Sequence, residues 1–243
     1  MKFMFFVFVD KGVYMQNKRT GVKKSMAVVF LCLTLVLVIA WTTGPFFYHF
    51  AGKRLVTLYS LFQLMAIAFF AFEASKAAGE DTHMKLQSNM RSRPFFISSV
   101  GFLFLGLDEI LSIHENMDIV IHFILRIKEN AITDHIDDVI VLIYGFIALF
   151  FIKEFIIEFK RHPFMIPLLT VGSAFFGFMV FFDFITGNHE TFRAILPKMF
   201  AHGDVIHKCD VLRMVEDSCK LIGEAFFLSA FLGAFLNIKY SRK

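Results

Sequence analysis

The sequence predicts an all-α fold, a polytopic membrane helical bundle of about six transmembrane helices with both termini cytoplasmic. Three observations carry this. Hydrophobic residues make up 57% of the 243 and charged residues only 19%, against about 25% charge in a soluble domain. The apolar residues gather in six long runs, and a run of roughly 18 or more fits a membrane span. Lys and Arg concentrate in alternate connecting segments, the bias that orients a chain crossing back and forth. The mean hydropathy of +0.64 agrees. Residues 1–243 therefore form a single transmembrane domain with no sizeable soluble part. The formal net charge of +4 is carried by loop lysines and arginines and calls for no nucleic-acid partner.

Taken in order, residues 1–25 form a cytoplasmic lead-in. Lys2 and the run Phe3 to Val9 imitate a signal-peptide start, but Asp10 and Lys11 interrupt it and no small-residue cleavage site follows. It is a short interfacial segment, or sequence upstream of a start at Met15 or Met26. Spans are predicted over about 26–47, 55–72, 95–113, 139–155, 164–185 and 219–238. Apolar residues cover every face of these helices, as lipid-facing and core-facing spans require. Pro94 and Pro163 stand just before the third and fifth, where a missing N–H costs nothing. Sixteen Lys and Arg fall in the N-terminal segment, the loops after spans two and four and the C-terminus, against eight in the opposite loops, which places both termini inside. Asn116 to Asn130 either prolongs the third helix or lies flat in the interface, and Phe192 to Val215 suggests an interfacial helix with a turn at Gly203.

The charges inside the spans collect at one kind of end. At about 1.5 Å of rise per residue, Asp108 lies about 20 Å above the cytoplasmic edge, Glu224 about 20 Å and Asp138 about 22 Å. In a hydrocarbon core about 30 Å thick, these groups share the outer third. A charged side chain near a helix centre costs about 2.5–3.5 kcal/mol, so Asp108, Glu109 and Glu224 need partners, protons, a metal or water. Asp108, Ser112, Glu115 and His122 fall near one helical stripe. Asp217, Lys220 and Glu224 share a face of the last helix, where Lys220 neutralises one or both acidic neighbours in an ion-pair network. The cluster opens outward with little polar continuation inward, Glu73 being the main inner carboxylate.

This mixture supplies metal ligands. Asp108, His114, Glu115, His122 and Asp138 are candidates for a divalent Zn, Mn or Fe. Asp108, Glu109, Glu115 and Glu224 are candidate catalytic carboxylates. His114-Glu115-Asn116-Met117-Asp118 approximates HExxH with Asp in place of the second His. The three Cys make neither a zinc spacing nor a disulfide framework, and a Cys209–Cys219 disulfide stays open.

The Leu107-Asp108-Glu109 segment followed by His114-Glu115, with Glu216-Asp217 and Glu224 in the last helix, resembles a group of bacterial multi-pass membrane proteins that carry a D-E-x4-H-E helix end and an acidic final helix. The resemblance covers two short motifs and implies the bacterial inner (plasma) membrane, without an established activity. Leu107-Asp108-Glu109 is also similar to the L-D-E segment of alkaline-ceramidase-like membrane hydrolases, in which the Asp belongs to a zinc site. The Ser and His expected upstream, and the HxxxH of the final helix, do not occur here.

Three functions follow. The first is a metal-dependent hydrolase of a lipid or other apolar substrate at the non-cytoplasmic leaflet, with a metal-bound water as nucleophile. The second is a proton- or cation-coupled carrier whose buried carboxylates alternate between neutral and charged. The third is a non-catalytic assembly or sensor module in which the same charges tie helices together.

Overall fold

The computed structural model describes residues 11–42, 53–79, 85–126, 136–187 and 205–241. Eight helices occupy them: α1 (Lys11–Thr42), α2 (Lys53–Gly79), α3 (Lys85–Leu111), α4 (Ile113–Leu125), α5 (Ile136–Phe150), α6 (Ile152–Arg161), α7 (Met165–Gly187) and α8 (Val205–Ser241). Four stretches are long and apolar enough to cross a bilayer, Leu55–Gly79, Arg91–Leu111, Met165–Phe184 and Val211–Tyr240, and α1 contains a shorter one, Lys24–Ile39. The lead-in run Phe3 to Val9, the end of the first predicted span and the Gly203 turn lie outside the described residues.

The centre of the bundle is α8, the most buried of the four long stretches, packed on α1, α2 and α7. Its inward positions Leu221, Ala225, Leu228, Phe231, Ala234 and Ile238 follow the three- and four-residue spacing of one helical face. Ser60, Gln63, Ile67, Ala71, Ala74 and Ala78 do the same on α2, and the small alanines let the two backbones approach closely. The α7–α8 crossing is also close. A Cβ on Gly223 would stand 2.8 Å from the Phe176 ring and 3.1 Å from the Gly172 carbonyl oxygen, so glycine is required there by space.

Contacts fix the helix directions. Ser75 Oγ donates to Ser92 O at 3.0 Å and Ser99 Oγ to Ala68 O at 2.8 Å, which sets α2 antiparallel to α3. Phe30 meets Phe226 and Trp41 Nε1 reaches Ser218 Oγ at 3.1 Å, so α1 runs against α8. Gly172 opposite Gly223 and Phe164 opposite Gly233 make α7 antiparallel to α8 as well. Tyr144 of α5 meets Phe104 of α3, and His162, just past α6, meets Phe95 near the other end of α3. The α5–α6 pair thus travels the length of α3 in the opposite direction.

Three expectations are corrected. The predicted fourth span is not one helix: it breaks at Phe151 (φ −93°, ψ 8°), beyond which the charges of α6 make it amphipathic. Pro94 lies inside α3, not ahead of it, because the good helix formers of Lys85 to Arg93 start the helix before the apolar run begins. The interfacial helix expected ahead of the Gly203 turn lies outside the described residues, while Val205 to Val215 belongs to α8. The same continuous helix holds Cys209 and Cys219 ten residues apart, about 15 Å along the axis, beyond disulfide reach, and Cys219 is a buried free thiol.

Candidate functional site

The site begins where α3 stops. Ser112 takes a left-handed conformation (φ 45°, ψ 51°) and offers no side-chain cap to α4. Such a residue costs roughly 1–2 kcal/mol, and the flanking side chains offset it. Asp108 Oδ1 accepts the His114 backbone N–H at 3.0 Å, satisfying a helix-start donor. Asn116 Nδ2 donates to the Leu111 and Ser112 carbonyls at 2.8 and 2.9 Å, satisfying acceptors at the end of α3. The helix start and helix end are therefore capped from each other's side of the break. Asp108 Oδ2 also meets His114 Nδ1 at 2.8 Å. With Nδ1–H donated to the carboxylate, the imidazole lone pair sits on Nε2, and about a quarter of the His114 side chain is exposed.

One residue further along α3, Glu109 reaches across to α8 and forms an ion pair with Lys220. One turn on, Glu224 is completely buried. Its Oε1 accepts the Ser60 hydroxyl of α2 at 2.7 Å, while Oε2 is buried without a hydrogen-bond partner. The Lys220 ammonium also feels the charges of Glu224 and Asp217. One ammonium thus lies in the field of three carboxyl groups, one of them in direct contact. Toward the middle of the bundle, both amide atoms of Gln63 and the Ser229 hydroxyl are likewise buried without hydrogen-bond partners, a concentration of orphaned polar groups that a packed interior normally avoids.

The structure therefore brings Asp108 to His114, and Glu109 and Glu224 to the Lys220 region. It does not keep the proposed stripe of Asp108, Ser112, Glu115 and His122, because the helix breaks at Ser112 and the register resets. Lys220 takes Glu109 of another helix as its hydrogen-bonded partner, a pairing absent from the predicted network of Asp217, Lys220 and Glu224. His122 sits half-buried on α4. The side chains of Glu115 and Asp138 lie outside the described part of the structure. Among the described residues no three His, Cys, Asp or Glu side chains are placed to hold a metal ion together. The Asp108–His114 contact makes Asp108 an orienting partner of the imidazole, as in the outer sphere of many metal-bound histidines.

A family described as a domain of unknown function (DUF8692) matches residues 26–235. The chain belongs to this family. In this DUF8692 member the matched segment takes in the α3–α4 break, the Glu109–Lys220 pair and Glu224. No curated protein and no solved structure matches the chain.

The DUF8692 chain also holds a polar cluster that sequence reasoning missed. At the opposite end of α8, Glu158 and His162 are buried. Glu158 Oε1 accepts from Arg161 at 2.5 Å, and its Oε2 lies 3.8 Å from His162 Nε2. His162 Nδ1 meets Asn237 Nδ2 of α8 at 2.8 Å. The half of the bundle away from Glu224 therefore also holds polar groups. Lys160 and Arg161 counted only as loop charges, and the available signal was the i, i+4 spacing of Glu158 and His162 on an amphipathic segment. Glu73, the carboxylate named from sequence for this half, is a partly exposed partner of Lys76 at 3.1 Å.

Proposed function

We propose that this protein is a proton- or cation-coupled carrier that crosses the membrane six times, with Glu224 as the group that exchanges the ion. The antiparallel course of α1 and of the α5–α6 pair supports counting them with the four longer stretches. The observation that carries the reading is Glu224 itself, wholly buried, with one oxygen held by Ser60 and the other unmatched. Lys220 gives its hydrogen bond to Glu109 rather than to Glu224. An unmatched carboxylate in a low-dielectric interior is costly, so the group alternates between holding a proton or small cation and pairing with the neighbouring ammonium. The orphaned polar atoms of Gln63 and Ser229 continue the polar file inward. The loop-charge bias would place the Glu224 end on the non-cytoplasmic side.

Reconstitution into liposomes tests this. An imposed pH or cation gradient is predicted to drive flux in the wild type that Glu224→Gln abolishes. Gradient dissipation no faster than in empty liposomes sinks the reading, as does flux unaffected by Glu224→Gln.

A second reading is favoured by the Asp108–His114 pair, an orientation device found where an imidazole serves as base or ligand. Here His114 Nε2 acts on a lipid or apolar substrate at the membrane surface, as a base or, with Glu115, His122 and Asp138, as a ligand of a divalent Zn, Mn or Fe. Elemental analysis in mild detergent together with lipid-hydrolysis assays separates this reading from the first. Metal-dependent hydrolysis lost in His114→Ala supports it, and no turnover with metal supplied counts against it.

A further inference from the structure

We propose that Glu158, His162 and Asn237 form a second proton-exchange station, at the opposite end of α8 from Glu224. The inference rests on the carrier reading and deepens it, since a coupled carrier must exchange its ion with both sides. Asn237 lies 13 residues beyond Glu224, about 20 Å along the helix. Between the two ends stand the buried Gln63 and an aromatic layer in which Phe102 packs on Phe227 and Phe231 at 5.5 and 5.7 Å, with the buried Ser229 on α8 at the same height. Two polar stations separated by a packed aromatic layer can each meet water in turn without a continuous leak.

The station is built for a proton. His162 is buried between the rings of Phe95 and Phe164, at 6.3 and 6.2 Å. Asn237 Nδ2 only donates, so its contact makes His162 Nδ1 the acceptor and leaves the ring hydrogen on Nε2, toward Glu158 Oε2. A second proton on the ring converts Nδ1 to a donor. The Asn237 amide must then turn over and present its oxygen, while Glu158 stabilises the new charge. Arg161 holds the other Glu158 oxygen and is a third exposed, so the buried carboxylate is one side chain away from the surface. Among the described residues, the other charged or titratable groups at this end are Arg91 and Arg93 on α3, just before Phe95, Lys239 and Tyr240 on α8, just after Asn237, Lys153, Glu154 and Lys160 on α6, and the Glu73–Lys76 pair on α2.

The test uses full-length protein with 15N-labelled histidine in lipid nanodiscs, the His162 signal assigned by its loss in His162→Gln. Over about pH 5 to 8, the His162 ring nitrogens are predicted to titrate, with a midpoint that moves in Glu158→Gln. In liposomes, His162→Gln is predicted to lower Glu224-dependent flux at least about tenfold while the purified variant keeps wild-type thermal stability to within a few degrees. A His162 signal that does not change with pH overturns the station, and so does titration with flux unchanged in His162→Gln. If His162→Gln unfolds, Asn237→Asp replaces it, and a His162 midpoint unmoved by that added carboxyl overturns the proposal. Absence of any Glu224-dependent flux in the wild type defeats the carrier reading, and the titration alone then decides whether His162 exchanges protons.

Discussion

Replacing Glu109 with Gln leaves the Lys220 ammonium inside the bundle without its hydrogen-bonded carboxylate. An exposed ion pair is worth about 0–1 kcal/mol, whereas removing one partner of a buried pair costs about 3–5 kcal/mol. The two side chains are 19% and 17% exposed, so the lower end of the buried range applies, about 3 kcal/mol. For a chain of this length that corresponds to a fall of about 6 to 12 °C in apparent Tm. Lys220→Met is predicted to be similarly damaging, because it leaves the Glu109 carboxylate uncompensated. The double variant removes both charges and both desolvation costs, so it is predicted to lose less than the sum of the singles by about 2 kcal/mol. The assay is thermal unfolding of all four proteins in one detergent, read as a double-mutant cycle. Single variants that each lose less than about 1 kcal/mol, or losses that simply add, would refute the assignment of a buried pair.

Gly223→Ala sets a methyl against the Phe176 ring and the Gly172 carbonyl, and is predicted to cost about 1–3 kcal/mol in thermal stability. Gly177→Ala on α7, where a Cβ meets nothing within 4 Å, is predicted to stay within about 1 kcal/mol of wild type; equal effects would contradict the crossing. Asp108→Ala removes the acceptor for the His114 N–H, so α4 loses about 1 kcal/mol. Hydrogen exchange over its first turn should accelerate while α8 stays protected, and unchanged exchange there argues against the cap. Ser60→Ala leaves Glu224 with neither oxygen hydrogen-bonded by Ser60 and is predicted to lower stability by about 1–3 kcal/mol, measured by the same unfolding assay.

How much of this was legible in the sequence depended on which physical scale set each feature. The bundle was legible because burial in lipid demands long apolar runs, and the runs beginning near Leu55, Phe95, Phe164 and Cys219 lie in helices. The break at Ser112 was not, because neither Gly nor Pro marks it. It is produced by Asp108 and Asn116 reaching across the turn, a three-dimensional event that helical spacing continues straight through. Asp108, Glu109, Lys220 and Glu224 were singled out because charge in an apolar run is costly wherever it points. Their partners were not, since a one-residue rotation separates Asp108, which caps α4, from Glu109, which crosses to Lys220. Ser60 carried no signal of its own; a lone serine in a span is ordinary until a carboxylate is found against it. His162 was hidden by its place beside Pro163 and a basic loop, where the α6–α7 turn folds it back beneath Phe95.

The central claim is that Glu224 binds and releases a proton or cation within the bundle. Infrared difference spectroscopy of the reconstituted protein, with 13C-labelled glutamate and a pH step, tests it most directly. The account predicts a protonated-carboxyl band that changes with pH and disappears in Glu224→Gln while the protein stays folded. A spectrum in which no carboxyl band responds to pH or added cation, or in which the responding band survives Glu224→Gln, would contradict it.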